Sequence, residues 1–197
     1  MKLRDILFAG GMILGASFMP MKNVDAQDTI KKFVSEVTYT ENNNILKFRP
    51  FDYMLPSKTQ RTDFLLGKRF GDLSLYGYWM FDNKDRTWIG ARLDYGKKAL
   101  DGKLRANLQL KYLHGLNEKT KDKIYFIPTI DYNIGSFNVG IMGYGVKSAG
   151  KKLLFFIGPS LSVKLTKNIS TTIIGGKSPL DKSNLLYWKT NFKFKKD

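Results

Sequence analysis

The chain has 197 residues, enough for one domain with a sizeable interior. It contains no cysteine and a single histidine, His114, which excludes disulfides, thiolate metal sites, a cysteine nucleophile, a lipoprotein anchor and a histidine-based metal cluster. Its net charge of +16, from 33 Lys and Arg against 17 Asp and Glu, invites a nucleic-acid reading that the front of the chain argues against.

Residues 1–26 read as a secretory signal peptide. Lys2 and Arg4 form a positive start, Ile6 to Phe18 an uncharged run, and Pro20 a break. Val24-Asp25-Ala26 then sets up cleavage before Gln27. The apolar run is shorter than the roughly 20 residues a spanning helix needs, and no later stretch reaches that length. An exported chain does not meet nucleic acid, so the positive charge calls for another partner. No motif implies a cofactor.

Residues 27–60 hold two strand candidates, Lys31–Glu41 and Asn44–Asp52, or else an irregular or plug segment. Residues 61–197 read as the main part of the barrel. Strands are expected near 61–70, 72–81, 87–96, 103–114, 123–133, 136–146, 152–165, 168–175 and 184–194. The clearest is Lys103 to Leu113. Leu104, Ala106, Leu108, Leu110 and Tyr112 share one face, while Lys103, Arg105, Asn107, Gln109 and Lys111 share the other. The same alternation sets Ile124, Phe126 and Ile130 against Tyr125, Thr129 and Asp131. It recurs in the last segment, where Leu186, Trp188 and Phe192 oppose Tyr187, Lys189 and Asn191.

Two arrangements satisfy such faces. A soluble sandwich or lipocalin-like barrel turns the apolar stripe inward, whereas a membrane barrel turns it toward lipid. Three features favour the membrane. The polar stripes include small neutral residues such as Thr129, Gly158, Ser160 and Ser162, as a packed polar lumen requires. Aromatic residues cluster near the ends of the apolar stripes, at Phe81, Tyr112, Tyr132, Trp188 and Phe194. The third is the closing segment Leu185–Phe194. It resembles the last strand of bacterial outer-membrane β-barrels, which ends in Phe, although Lys195-Lys196-Asp197 follow it here. That resemblance implies Gram-negative export, insertion by the barrel-assembly machinery, and contact with outer-membrane lipid and lipopolysaccharide.

The expected fold is therefore all-β, a single antiparallel up-and-down transmembrane β-barrel. Connections alternate between short (Gly71, Ile134–Gly135, Thr166–Lys167) and longer (Asn83–Arg86, Gly115–Asp122, Lys147–Lys151, Gly176–Ser183), with Lys97–Gly102 longer than its place allows. The short set lies on the side of the C-terminus, the periplasmic side in such barrels. With both termini on that side the strand number must be even, so ten strands are expected, with twelve as the alternative.

Parity points Arg69, Arg92, Arg105, Lys111, Lys164, Lys189 and Lys193 into the lumen, together with the acids Asp63, Asp94 and Asp131. Rings of Lys and Arg select anions, and the architecture is similar to that of the small oligogalacturonate-specific porins, which implies passage of small anions or acidic sugars. The other reading pairs these charges in a filled interior, which a bore of about ten strands favours. Basic turns at Lys97-Lys98, Lys119 to Lys123, Lys151-Lys152 and Lys195-Lys196 either contact lipid phosphates or are simply solvated. His114 is the weak catalytic candidate. The lipid A–modifying barrel enzymes carry a His with a Ser and a carboxylate near the outer leaflet, and here Ser148 with Glu118 or Asp122 would have to join it. The Gly140–Gly145 and Gly175-Gly176 stretches lack the strand–loop–helix context of a phosphate loop. The functional expectation is an outer-membrane protein that is structural or a narrow anion-preferring channel. The alternatives are an outer-membrane lipid A–modifying enzyme and a soluble periplasmic barrel that binds lipid or acidic glycan.

Overall fold

A computed structural model describes residues 29–180 and 183–196; the expected signal peptide lies outside the described residues. Eleven strands follow one another: β1 (Thr29–Glu41), β2 (Asn44–Leu55), β3 (Thr59–Phe70), β4 (Leu73–Asp82), β5 (Thr87–Ala99), β6 (Leu104–Gly115), β7 (Lys123–Ile134), β8 (Phe137–Ser148), β9 (Leu154–Lys164), β10 (Ile169–Lys177) and β11 (Asn184–Lys196). Each pairs with its sequence neighbour, and β1 pairs with β11 to close a barrel.

The expected even number is corrected to eleven. The evenness rule assumed that both chain ends share one mouth, but β1 runs parallel to β11, with Thr29 opposite Asn184 and Glu41 opposite Lys196. Thr29 and Lys196 therefore lie at opposite ends, and both upstream candidates take part as β1 and β2. The wall is antiparallel everywhere except at this one seam. One mouth carries Thr29 and the connections 56–58, 83–86, 116–122, 149–153 and 178–183. We call it the loop end. The opposite turn end carries Lys196 and the connections 42–43, 71–72, 100–103, 135–136 and 165–168. The connection that looked too long shrinks because β5 runs on to Ala99. At Gly71 and Gly135, φ of 59° and 62° provides the left-handed residue that a tight hairpin between right-twisted strands needs.

Apolar stripes face out of the barrel and charged stripes face in. On β3 the contrast falls between neighbours, since Leu66 is 70% exposed on the outer wall while Leu65 is 1% exposed inside, in the same row as the fully buried Asp63. Ile124, Ile130 and Ile141 are likewise exposed outside, whereas Arg92 and Lys111 are buried inside. Strand β2 changes phase midway. Its register shifts against β1 between Phe48 and Phe51 and against β3 between Arg49 and Asp52, the signature of a bulge, and both intervals contain Pro50, which has no N–H to give a ladder. The bulge lets Arg49 and Asp52 both point inward.

The strands come unusually close where β5 meets β6. A Cβ on Gly90 would run onto the Tyr112 carbonyl oxygen, so the pair needs a hydrogen atom there. Gly90→Ala should therefore lower the unfolding free energy by about 1–3 kcal/mol, read as an earlier urea midpoint in detergent. An unchanged midpoint would mean that the two backbones separate freely.

Candidate functional site

The interior divides into two zones along the barrel axis. Toward the loop end it is filled. Trp88, Met80, Leu113, Tyr125 and Leu65 form a buried cluster, with Tyr144 and Val146 packed against it. Register explains the convergence, because Trp88 sits opposite Met80 on β4 and Leu113 opposite Gly90, where no side chain competes for the space. The Trp88 indole N–H donates to the Lys121 carbonyl at 3.1 Å, which ties the filler to the 116–122 loop. Lys123 lies 3.9 Å from the centre of the Trp88 ring.

Mid-barrel, ions are paired. Arg49 Nε donates to Glu36 Oε2 at 2.5 Å and its Nη1 to Asp63 Oδ2 at 3.2 Å, while Lys189 Nζ meets Glu36 Oε1 at 3.0 Å. The Tyr78 hydroxyl donates to Asp63 and accepts from Lys111 Nζ at 3.1 Å. Arg92 grips Asp94 with two bonds of 2.7 and 2.6 Å, and Lys47 reaches the same carboxylate at 3.4 Å. Lys32 pairs with Asp52 at 3.2 Å. Charges this deep need partners, because leaving water costs each ion several kcal/mol.

Toward the turn end the interior opens into a cavity of about 1100 Å³. It reaches inward to Lys32, Asp52, Tyr125 and Tyr144. Among the described residues, Trp88, Met80 and Leu113 line no part of it. Arg69, Arg105, Lys98 and Lys193 line its outer part, and Lys164 stands at the rim in the row that alternation turns inward. Arg69, Arg105 and Lys164 lie within electrostatic reach of Lys193. Among the described residues these four make no ion pair at contact distance; Asp131, opposite Arg105 across the β6–β7 pair, accepts instead from Ser160 Oγ at 3.3 Å. The result is a vestibule in which these cations outnumber the acids of its wall, Asp131 and the Lys97-bound Asp72.

Of the seven cations expected inward, Arg92, Lys111 and Lys189 lie in the buried network, Arg69, Arg105 and Lys193 line the cavity, and Lys164 stands at its rim. Asp63 and Asp94 are network members, and Asp131 lies in the vestibule wall. Sequence reasoning missed Lys32, Glu36, Lys47, Arg49, Asp52 and Arg61. The signal was present in β1 as Lys32, Glu36 and Thr38 on one parity, but the bulge in β2 hides the matching stripe.

His114 faces outward at the loop end. Its Nδ1 lies 3.0 Å from Asp122 Oδ1, which also accepts the Gly115 N–H at 3.1 Å, and Tyr112 donates its hydroxyl to Asp122 Oδ2 at 2.6 Å. The Tyr112 hydroxyl, the Gly115 N–H and His114 together hold the Asp122 carboxyl below the usual carboxylate range. Among the described residues neither Ser148 nor Glu118 hydrogen-bonds to His114. The group closes the base of the 116–122 loop. Basic turn residues behave as local partners, with Lys97 bound to Asp72 at 2.9 Å and Lys196 to Glu41 at 2.8 Å.

No protein-family model matches the chain, and neither a curated protein nor a solved structure matches it.

Proposed function

We propose that the chain is an integral outer-membrane β-barrel protein without catalytic activity, closed to bulk flow at its loop end and offering a basic vestibule to small anions at its turn end. The observation that carries this is the inverted polarity of the wall. An apolar exterior surrounding a charged interior is stable only where the surroundings are apolar. Aromatic residues support the same reading. Phe81 and Tyr112 lie on the outer wall near the loop end, and Phe70, Tyr95, Tyr132 and Phe137 near the turn end, the spacing of two interfacial belts. Strands of nine to thirteen residues suit a hydrocarbon core crossed at a tilt.

In this orientation the turn end and Lys196 face the periplasm, and the 116–122 loop faces outward. The vestibule then collects anions such as phosphates or acidic sugars from the periplasmic side and does not pass them.

Fractionation tests the membrane reading directly. The full chain should pellet with the outer membrane and migrate faster on gels before boiling than after. Recovery in the soluble periplasmic fraction without detergent would replace it with a soluble binding barrel.

A further inference from the structure

The outer wall carries a second feature that the vestibule does not explain. Near the loop end, between β9, β10, β11 and β1, lies an apolar groove of about 400 Å³. Its sides are Ile157, Pro159 and Leu186, its floor is Gly175, and Lys31 and Lys177 stand at its margins.

The groove exists because a side chain is missing from the wall between Ile157, Pro159 and Leu186. Along β10 the outward positions run Ile173, Gly175, Lys177. A Cβ at Gly175 would meet nothing within 4 Å, and its backbone is not in the left-handed region, so neither space nor φ requires glycine there. Gly143, another outward glycine, is different, since a Cβ there would strike the Pro128 ring. Glycine weakens a strand, and an empty notch forfeits packing. A vacancy of this kind is stable when something else fills it.

We infer that this groove binds one acyl chain of a phosphate-bearing lipid of the outer leaflet, with Lys31 and Lys177 holding the phosphate. The inference rests on the membrane orientation proposed above. The lining is apolar, as an alkyl chain requires. Neither lysine makes an ion pair among the described residues, so both are available to an anion. They flank the groove on β1 and β10, near the mouth where Lys147, Lys151 and Lys152 add further positive charge. In an outer membrane the lipid of that leaflet is the phosphorylated, multiply acylated lipid A of lipopolysaccharide, which we take as the occupant. The shape asks for a chain and the charge asks for a phosphate, and lipid A supplies both.

The test is native mass spectrometry of the full chain released from phosphatidylcholine nanodiscs doped with lipid A, or in parallel with phosphatidylglycerol. The wild-type chain should retain one lipid A molecule. Gly175→Leu, whose Cβ meets nothing within 4 Å and whose branches enter the notch, should lose the adduct. Lys31→Gln/Lys177→Gln should reduce it about thirtyfold, from two lysines near a phosphate. Equal retention by all three proteins would overturn the site. Equal retention of phosphatidylglycerol would overturn the assignment of the lipid. A chain that inserts into the nanodiscs but retains no lipid overturns this inference alone, whereas one that never inserts overturns the membrane reading beneath it.

Discussion

Replacing Arg49 with methionine should destabilise the barrel by about 3–5 kcal/mol, one of the largest losses expected from a single change in this chain. Arg49 bonds Glu36 through Nε and Asp63 through Nη1, and all three side chains are nearly inaccessible. Methionine keeps much of the volume but leaves two carboxylates facing each other without the cation between them. Lys189 still reaches Glu36, yet among the described residues Asp63 keeps only the Tyr78 hydroxyl as a side-chain hydrogen-bond donor, with Lys111 and Arg61 acting on it through space. The measurement is the urea midpoint for loss of the fast-migrating folded band in detergent. A second variant isolates the cause. Adding Asp63→Asn to Arg49→Met removes the carboxylate that lost its cation, while Glu36 keeps Lys189, and should recover most of the loss. If the double variant is no more stable than Arg49→Met alone, the damage comes from packing, and the ionic account fails.

The outer wall was legible in the sequence, and the interior network only in part. Period-two alternation in Lys103–Leu113 or Leu185–Phe194 is a local property, and the structure keeps both stripes as written. Three things escaped, each for a reason that lies beyond one strand. The Glu36–Arg49–Asp63 group needs β1, β2 and β3 in register, and the bulge beside Pro50 breaks the alternation that would have announced β2. The even strand count followed from assuming that both ends share a mouth, and a parallel β1–β11 seam removes that constraint. The filler at the loop end consists of apolar residues on inward positions, such as Leu65 beside the outward Leu66, and alternation gives no warning of them. Trp88 and Leu113 stand among many apolar residues in the sequence, and only cross-strand register brings them together around Tyr125. Asp122 was one of two acids considered for His114, and the return of the 116–122 loop to the start of β7 brings Asp122 back to it.

That filler yields the second large prediction, which concerns flow. Wild-type protein reconstituted in a planar bilayer should show no steady single-channel conductance, because the cavity from the turn end stops short of Trp88, Met80 and Leu113. Trp88→Ala/Leu113→Ala removes the indole and the fully buried leucine that block the axis beyond Tyr125. The change costs several kcal/mol of packing, about 3–5 for the indole alone, so the variant must first pass the gel test for a folded barrel. Once folded it should conduct, and under a potassium chloride gradient its reversal potential should take the sign of chloride preference. The vestibule sets that sign. A cation about 4 Å from chloride in a water-filled mouth contributes about 1 kcal/mol, roughly a fivefold enrichment, and among the described residues Arg69, Arg105 and Lys193 line the mouth, with Lys164 at its rim, without acids at contact distance. Changing those four to glutamine in the opened variant should leave conductance in place and abolish the preference. Steady conductance in the wild-type protein would show that the loop end is not closed. An opened variant that favours potassium would show that the buried acids, and not the vestibule, govern the field along the axis.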